Sequence, residues 1–174
     1  MILQPDDVPK DSTDDLHVLL TIQPRIPASS LAFAELPAGM VDDGTFSGAA
    51  AKEIEEELSL KIPEAELVNL TELACSLASS GHDTKASEKE ELPKAMFPSA
   101  GGSDEHIPIF MHMKRVPRKS LDEWSGKLTG LREDGEKITL KLVKFDDLWI
   151  EGVRDAKALA AWALWTGLKR RGKL

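Results

Sequence analysis

The chain has 174 residues, 41% apolar and 30% charged, and 22 basic against 30 acidic side chains leave a formal net charge of −8. That length suits one domain able to bury a sizeable core, and the acidic excess disfavours binding to nucleic acid or to an anionic membrane surface. The lone Cys75 excludes an internal disulfide framework, no run of 18 apolar residues offers a membrane span, and the acidic start lacks the apolar stretch of a secretory signal, so a cytoplasmic location is expected.

Residues 1–15 carry Asp6, Asp7, Asp11, Asp14 and Asp15 against a single Lys10, and they read as a flexible acidic arm ahead of one domain spanning 16–174. Leu16–Ile22 is a short apolar run bounded by Pro24, which predicts a buried strand. Pro24, Pro27, Ser29 and Ser30 mark a turn, and Leu31–Leu36 predicts a second strand ended by Pro37-Ala38-Gly39. Ser47 is placed to cap a helix from about Gly48 to Leu58. Pro63–Glu66 opens a further turn, and Leu67–Leu77 reads as a strand. Residues 78–95 lose periodicity and read as a surface loop rich in Ser, Gly, Lys and Glu.

Ile107–Met113 alternates well enough for a strand, and Ile138–Phe145 does so after a polar turn over Glu133–Glu136. Asp146 starts a short turn near Trp149. Asp155 caps a last helix from Ala156 to about Lys169, whose basic end suits the helix dipole. Strands, one acidic helix, more strands and a final helix describe an α+β domain with a mixed sheet covered by helices. His17, His82, His106 and His112 lack the spacing of a metal cluster. Cys75 reads as a small buried residue, and Trp162 with Trp165 reads as core.

The segment that carries chemistry is Glu35–Leu60, ELPAGMVDDGTFSGAAAKEIEEELSL. With Glu53 as origin, the helical step of about 100° puts Glu57 at about 40° and Glu56 at about 300°, while Ala50, Ile54 and Leu58 fall at about 60°, 100° and 140°. Three carboxylates therefore form a stripe beside the apolar one. Glu56 and Glu57 stand in the last turn, where the helix dipole disfavours acids, and like charges three and four residues apart repel. Lys52 relieves part of this. A hard divalent cation relieves more, since carboxylate oxygens are what Mg²⁺ takes.

The combination of ELPAGM, Gly39 and Lys52-Glu53-Ile54-Glu55-Glu56-Glu57-Leu58-Ser59-Leu60 resembles the Nudix hydrolase signature. Lys52 stands where that signature has Arg, Ser59 replaces the closing Gly, and 12 residues instead of 13 separate Gly39 from Lys52. Phe97–Glu105 and Gly130–Ile138 extend the resemblance to the branch that cleaves ADP-ribose and nucleotide sugars, over about residues 17–168. With only 15 residues ahead of the first predicted strand, that branch's N-terminal strand module is expected to be largely absent from these residues.

The resemblance implies a Nudix fold and Mg²⁺-dependent (or Mn²⁺-dependent) hydrolysis of a nucleoside-diphosphate sugar to a nucleoside monophosphate and a sugar phosphate. By resemblance, Glu53, Glu56 and Glu57 hold metal, the Ala38 carbonyl completes a shell, and Glu133 or Glu136 orients or deprotonates water. Gly39 and Glu105 are the substrate-side positions. A homodimer is implied too, pairing through Ile107–Met113 or the Trp162–Trp165 helix. The competing reading is a weak or inactive Nudix-fold nucleotide-binding protein.

Overall fold

The computed structural model describes residues 1–39, 46–58, 60–79, 92–130 and 137–174. The side chains of Phe46, Ser47, Ala49, Glu53 and Ser79 also lie outside this description. The strands are β1 (Ile2–Pro5), β2 (His17–Arg25), β3 (Ser30–Glu35), β4 (Val68–Asn69), β5 (Phe110–Met111), β6 (Met113–Val116), β7 (Leu128–Thr129) and β8 (Ile138–Lys144). The α-helices are α1 (Phe46–Leu58), α2 (Leu70–Ser79), α3 (Leu148–Glu151) and α4 (Ala156–Arg170). A six-stranded sheet runs β6-β1-β2-β8-β7, with β3 also paired to β2, and β4 pairs β5 separately. The β1–β6 pair is parallel and the other pairs are antiparallel, so the sheet is mixed and the fold is α+β.

Alternation along β2 builds two cores. Val18 and Leu20 point to one face, where they join Phe145, Leu148, Trp165 and Leu168. Leu19 points to the other, with Leu3, Leu58 of α1, Ile138 and Leu140. One face therefore rests on α2 and α4, and the other on α1.

Several expectations need correction. The first five residues are no loose arm: Ile2 and Leu3 are 5% and 0% exposed and pair with both β2 and β6. Arg115 holds the following turn through Gln4 Oε1 and the carbonyls of Asp6 and Val8, and Arg118 binds Asp7 and Asp15. The five aspartates mask a four-residue buried strand, and two of them serve as anchors for Arg118.

Leu67–Leu77 is mostly helix, not strand. Asn69 Oδ1 accepts the Glu72 N–H at 3.0 Å, and Leu70, Leu73 and Leu77 then fall on one helical face toward the core. Ile107–Met113 is broken: Ile107 makes an isolated bridge with Met96, β5 is two residues long, and β6 restarts at Met113 in the main sheet. Helix α1 already includes Phe46, so Ser47 is a helical residue and not its cap. Of the expected 78–95 loop, Ala78 and Ser79 end α2 and 92–95 form a turn, while 80–91 lie outside the described residues. Asp155 does cap α4, accepting the Lys157 N–H.

Candidate functional site

The site grows from the α1 side of the sheet. On β2 that face carries Leu19, Thr21 and Gln23, and the β3 partners of the last two are Glu35 and Phe33. Leucines fill the near end of the strip and polar side chains the far end. Thr21 is fully buried and its hydroxyl donates to the Glu35 carbonyl at 3.4 Å. Helix α1 lays its last turn over this strip. Leu58 is fully buried in the core, which fixes the rotation of the helix and turns its neighbour Glu57 inward. Glu57 is 3% exposed, and Gln23 Nε2 donates to its Oε1 at 3.3 Å.

Glu56 is half-buried and pairs with Lys52 at 3.6 Å, one turn back. Glu55 points away and meets Lys61 at 3.1 Å. Of the predicted stripe, Glu57 turns inward and Glu56 lies to the side, while Glu55, which is not part of it, faces outward. Glu53 occupies the expected helical position, with its side chain outside the described residues. Ala38 and Gly39 are exposed immediately beyond β3. Glu133 and Glu136, the expected water-handling residues, both lie outside the described residues. Glu105 is exposed in the loop before β5, with its N–H donating to Ser103 Oγ. Among the described residues, no three His, Cys, Asp or Glu side chains are arranged as a metal cluster.

The donor chemistry nevertheless fits a hard cation. Glu56 and Glu57 offer oxygen only, and Glu57 is a carboxylate drawn nearly out of water at the dipole-negative end of a helix. Burial of that kind is costly unless a positive charge or hydrogen bonds compensate it. On the opposite edge of the site, Thr129 of β7 is 4% exposed and faces the α1 side beside Ile138. Its hydroxyl has no hydrogen-bond partner among the described residues.

Sequence reasoning missed a chain of charges next to these acids. Arg25 Nε donates to Glu35 Oε1 at 2.6 Å, Lys157 Nζ reaches Glu35 Oε2 at 3.3 Å, and Lys157 also pairs with Asp155 at 2.9 Å. Glu35 and Asp155 are each 4% exposed. The signal was available in Leu31–Leu36, where one acid ends an otherwise apolar strand. Its partners lie on β2 and α4, and no local pattern connects them. Arg25 is the half-exposed cation of this group and lies two residues from Gln23 along β2.

Fold and site together define an α+β domain that sets the carboxylates of one helix end against a polar strip of sheet. The chain is similar to Nudix hydrolase 14, chloroplastic, of Arabidopsis thaliana: 35% identity over 164 residues, 93% of this chain and 48% of that protein. It spans about half the length of the curated relative it matches. No family model matches the chain. The mixed sheet and the helix-borne carboxylates are compatible with that similarity. Among the described residues, no helix is long and apolar enough to cross a membrane.

Proposed function

We propose that this chain is a Nudix hydrolase that splits the diphosphate linkage of a nucleoside-diphosphate sugar with the help of Mg²⁺ or Mn²⁺. The observation that carries the reading is Glu57, a carboxylate 3% exposed in the last turn of α1. Similarity to a protein named a Nudix hydrolase supports the reaction class. The ADP-ribose or nucleotide-sugar substrate rests on the sequence resemblance over Phe97–Glu105 and Gly130–Ile138.

Glu53, Glu56 and Glu57, with the Ala38 carbonyl, are the residues proposed to hold the cation. When bound, the cation would neutralise the diphosphate and lower the pKa of an attacking water. The remaining tasks belong to the chain. Gln23 holds Glu57 in place from β2. Arg25 contributes positive charge beside the acids, which a diphosphate approaching a protein of net charge −8 requires. Glu133 or Glu136 is proposed to orient or deprotonate the water. Phosphoryl-type transfer depends chiefly on such positioning and charge stabilisation.

The second reading is a weak or inactive nucleotide-binding protein, favoured by Lys52, whose ammonium sits on Glu56 at 3.6 Å where a cation is expected. A panel of ADP-ribose, ADP-glucose, UDP-glucose and dinucleoside polyphosphates assayed with Mg²⁺ separates the two. Nucleoside monophosphate released from one sugar substrate supports the enzyme. Nucleotide binding without turnover supports the second reading.

Homodimerisation is part of the proposal, although Trp165 is buried in the core and unavailable to a partner. A 19.1 kDa species that sediments alone and still hydrolyses substrate removes it. The cytoplasm is the proposed compartment, and the relative's name, which says chloroplastic, makes the plastid the alternative for a fluorescent fusion to test.

A further inference from the structure

The first turn of α4 grips the end of β3 twice. Asp155 Oδ2 accepts the backbone N–H of Leu36 at 2.8 Å. Lys157 Nζ bonds both Glu35 Oε2 at 3.3 Å and Asp155 Oδ1 at 2.9 Å. Asp155 Oδ1 also accepts the Lys157 N–H at 3.1 Å. A side chain and the next backbone amide of β3 are therefore tied to residues about 120 positions away in sequence. Capping α4 needs only one of these contacts, so the reach to Leu36 calls for another explanation.

We propose that Asp155, with Lys157 and Glu35, is a positioning lock that fixes the segment Pro37-Ala38-Gly39 and so sets where the Ala38 carbonyl stands relative to the last turn of α1. The inference rests on the functional reading above. The physical route is short. Leu36 precedes a proline, which confines it to extended conformations, and Pro37 has a fixed φ. With the Leu36 N–H pinned, few soft torsions remain before the Ala38 oxygen. The pin itself is stiff, because a charge-assisted bond to a carboxylate is stronger than a neutral one and a buried carboxylate that loses a partner is strongly penalised. Arg25 and Lys157 balance Glu35 and Asp155, so the four charges sum to zero beside an otherwise acidic site.

Asp155→Ser separates the lock from the cap. Serine caps a helix about as well as aspartate but is too short to span to Leu36. Amide exchange of Leu36, followed by NMR, is expected to accelerate. Mn²⁺ titration of the protein by EPR, without substrate, is expected to show half-saturation at about ten-fold higher metal, and kcat to fall by roughly 10–100-fold, the scale set by a displacement near 1 Å, with KM nearly unchanged. A merely structural role would lower the melting temperature without this split.

Faster Leu36 exchange with wild-type Mn²⁺ affinity and kcat overturns the inference, and so does unchanged Leu36 exchange. Should Asp155→Ser not fold, Asp155→Thr, also a capping side chain too short to span to Leu36, is read by the same criteria. A wild-type chain that binds no Mn²⁺ overturns the functional reading and this inference with it. Wild-type binding with an indifferent variant overturns this inference alone.

Discussion

The two faces of the main sheet are built for different ends. The face under α4 is closed by Phe145, Leu148, Trp165 and Leu168, with the Phe145 and Trp165 rings 4.3 Å apart between centroids. The face under α1 begins in the same way, with Leu3, Leu19, Leu58 and Leu140, and then changes to Thr21, Gln23, Glu35 and Glu57. Every one of those polar side chains stands where an apolar residue would pack without desolvating anything. The contrast shows one face given over to packing and another that gives part of its area to buried polar side chains, at the place where chemistry is proposed.

The sharpest way to break this comparison is at Glu57. Glu57→Gln is expected to lower turnover on the order of 10²–10⁴-fold with the fold intact, since charge stabilisation is the main catalytic contribution. Steady-state kinetics with circular dichroism check it, and full activity would remove Glu57 from the site. On the opposite face, Trp165→Ala is expected to destabilise by about 3–5 kcal/mol by emptying a packed position, read by urea unfolding, with surviving molecules still active.

Leu3→Ala tests the first strand. Leu3 is fully buried on the α1 side, so a loss of about 2–5 kcal/mol is expected. A change near zero in chemical denaturation would return residues 1–5 to the status of a loose arm.

Glu56→Gln should act in the other direction and more weakly. Relief of repulsion in the last turn of α1 is worth roughly 0.2–0.5 kcal/mol, giving a small rise in the metal-free melting temperature. Saturating Mg²⁺ should cancel or reverse the rise, because ligation favours the wild type. Destabilisation of the metal-free variant would mean that Lys52 is the lasting partner of Glu56.

The smallest expected effect is electrostatic and lies at an exposed surface pair. The hydrogen bond from Arg118 holds the Asp7 carboxyl below the usual carboxylate range. A depressed folded value gives stability that is present above the unfolded value of about 3.9 and is lost as pH falls through the lower folded value. Arg118→Gln should therefore melt slightly earlier than wild type at neutral pH, with the gap closing in acid. A gap that persists at low pH would assign the effect to packing.

Sequence pattern revealed β2, β3, β8, α1 and α4 because each has a local period or a local cap. It failed at β1, whose four residues are too short for periodicity and whose evidence is a partner more than 100 residues away. It failed at α2 because Leu67–Leu77 is apolar enough for either state, although Asn69 followed by Glu72 three residues on was a capping signal. In the site, the helical stripe was legible at Glu57 and Glu56. Gln23 and Asp155 were not, since what makes them matter is the strand register and a contact 119 residues apart.

The place of β2 in the sheet also governs how the molecule reaches its native state. Over His17–Ile22 the strand is matched residue for residue with β8, which the ribosome delivers about 120 positions later. β1 must wait as well for β6, its parallel neighbour at Met113–Val116. Such separations place the domain among slow folders, where loop closure must precede the contacts that reward it. During synthesis the Val18–Leu20 segment has β1 on one side and an open edge on the other until β8 arrives, an apolar edge that exposes the nascent chain to aggregation.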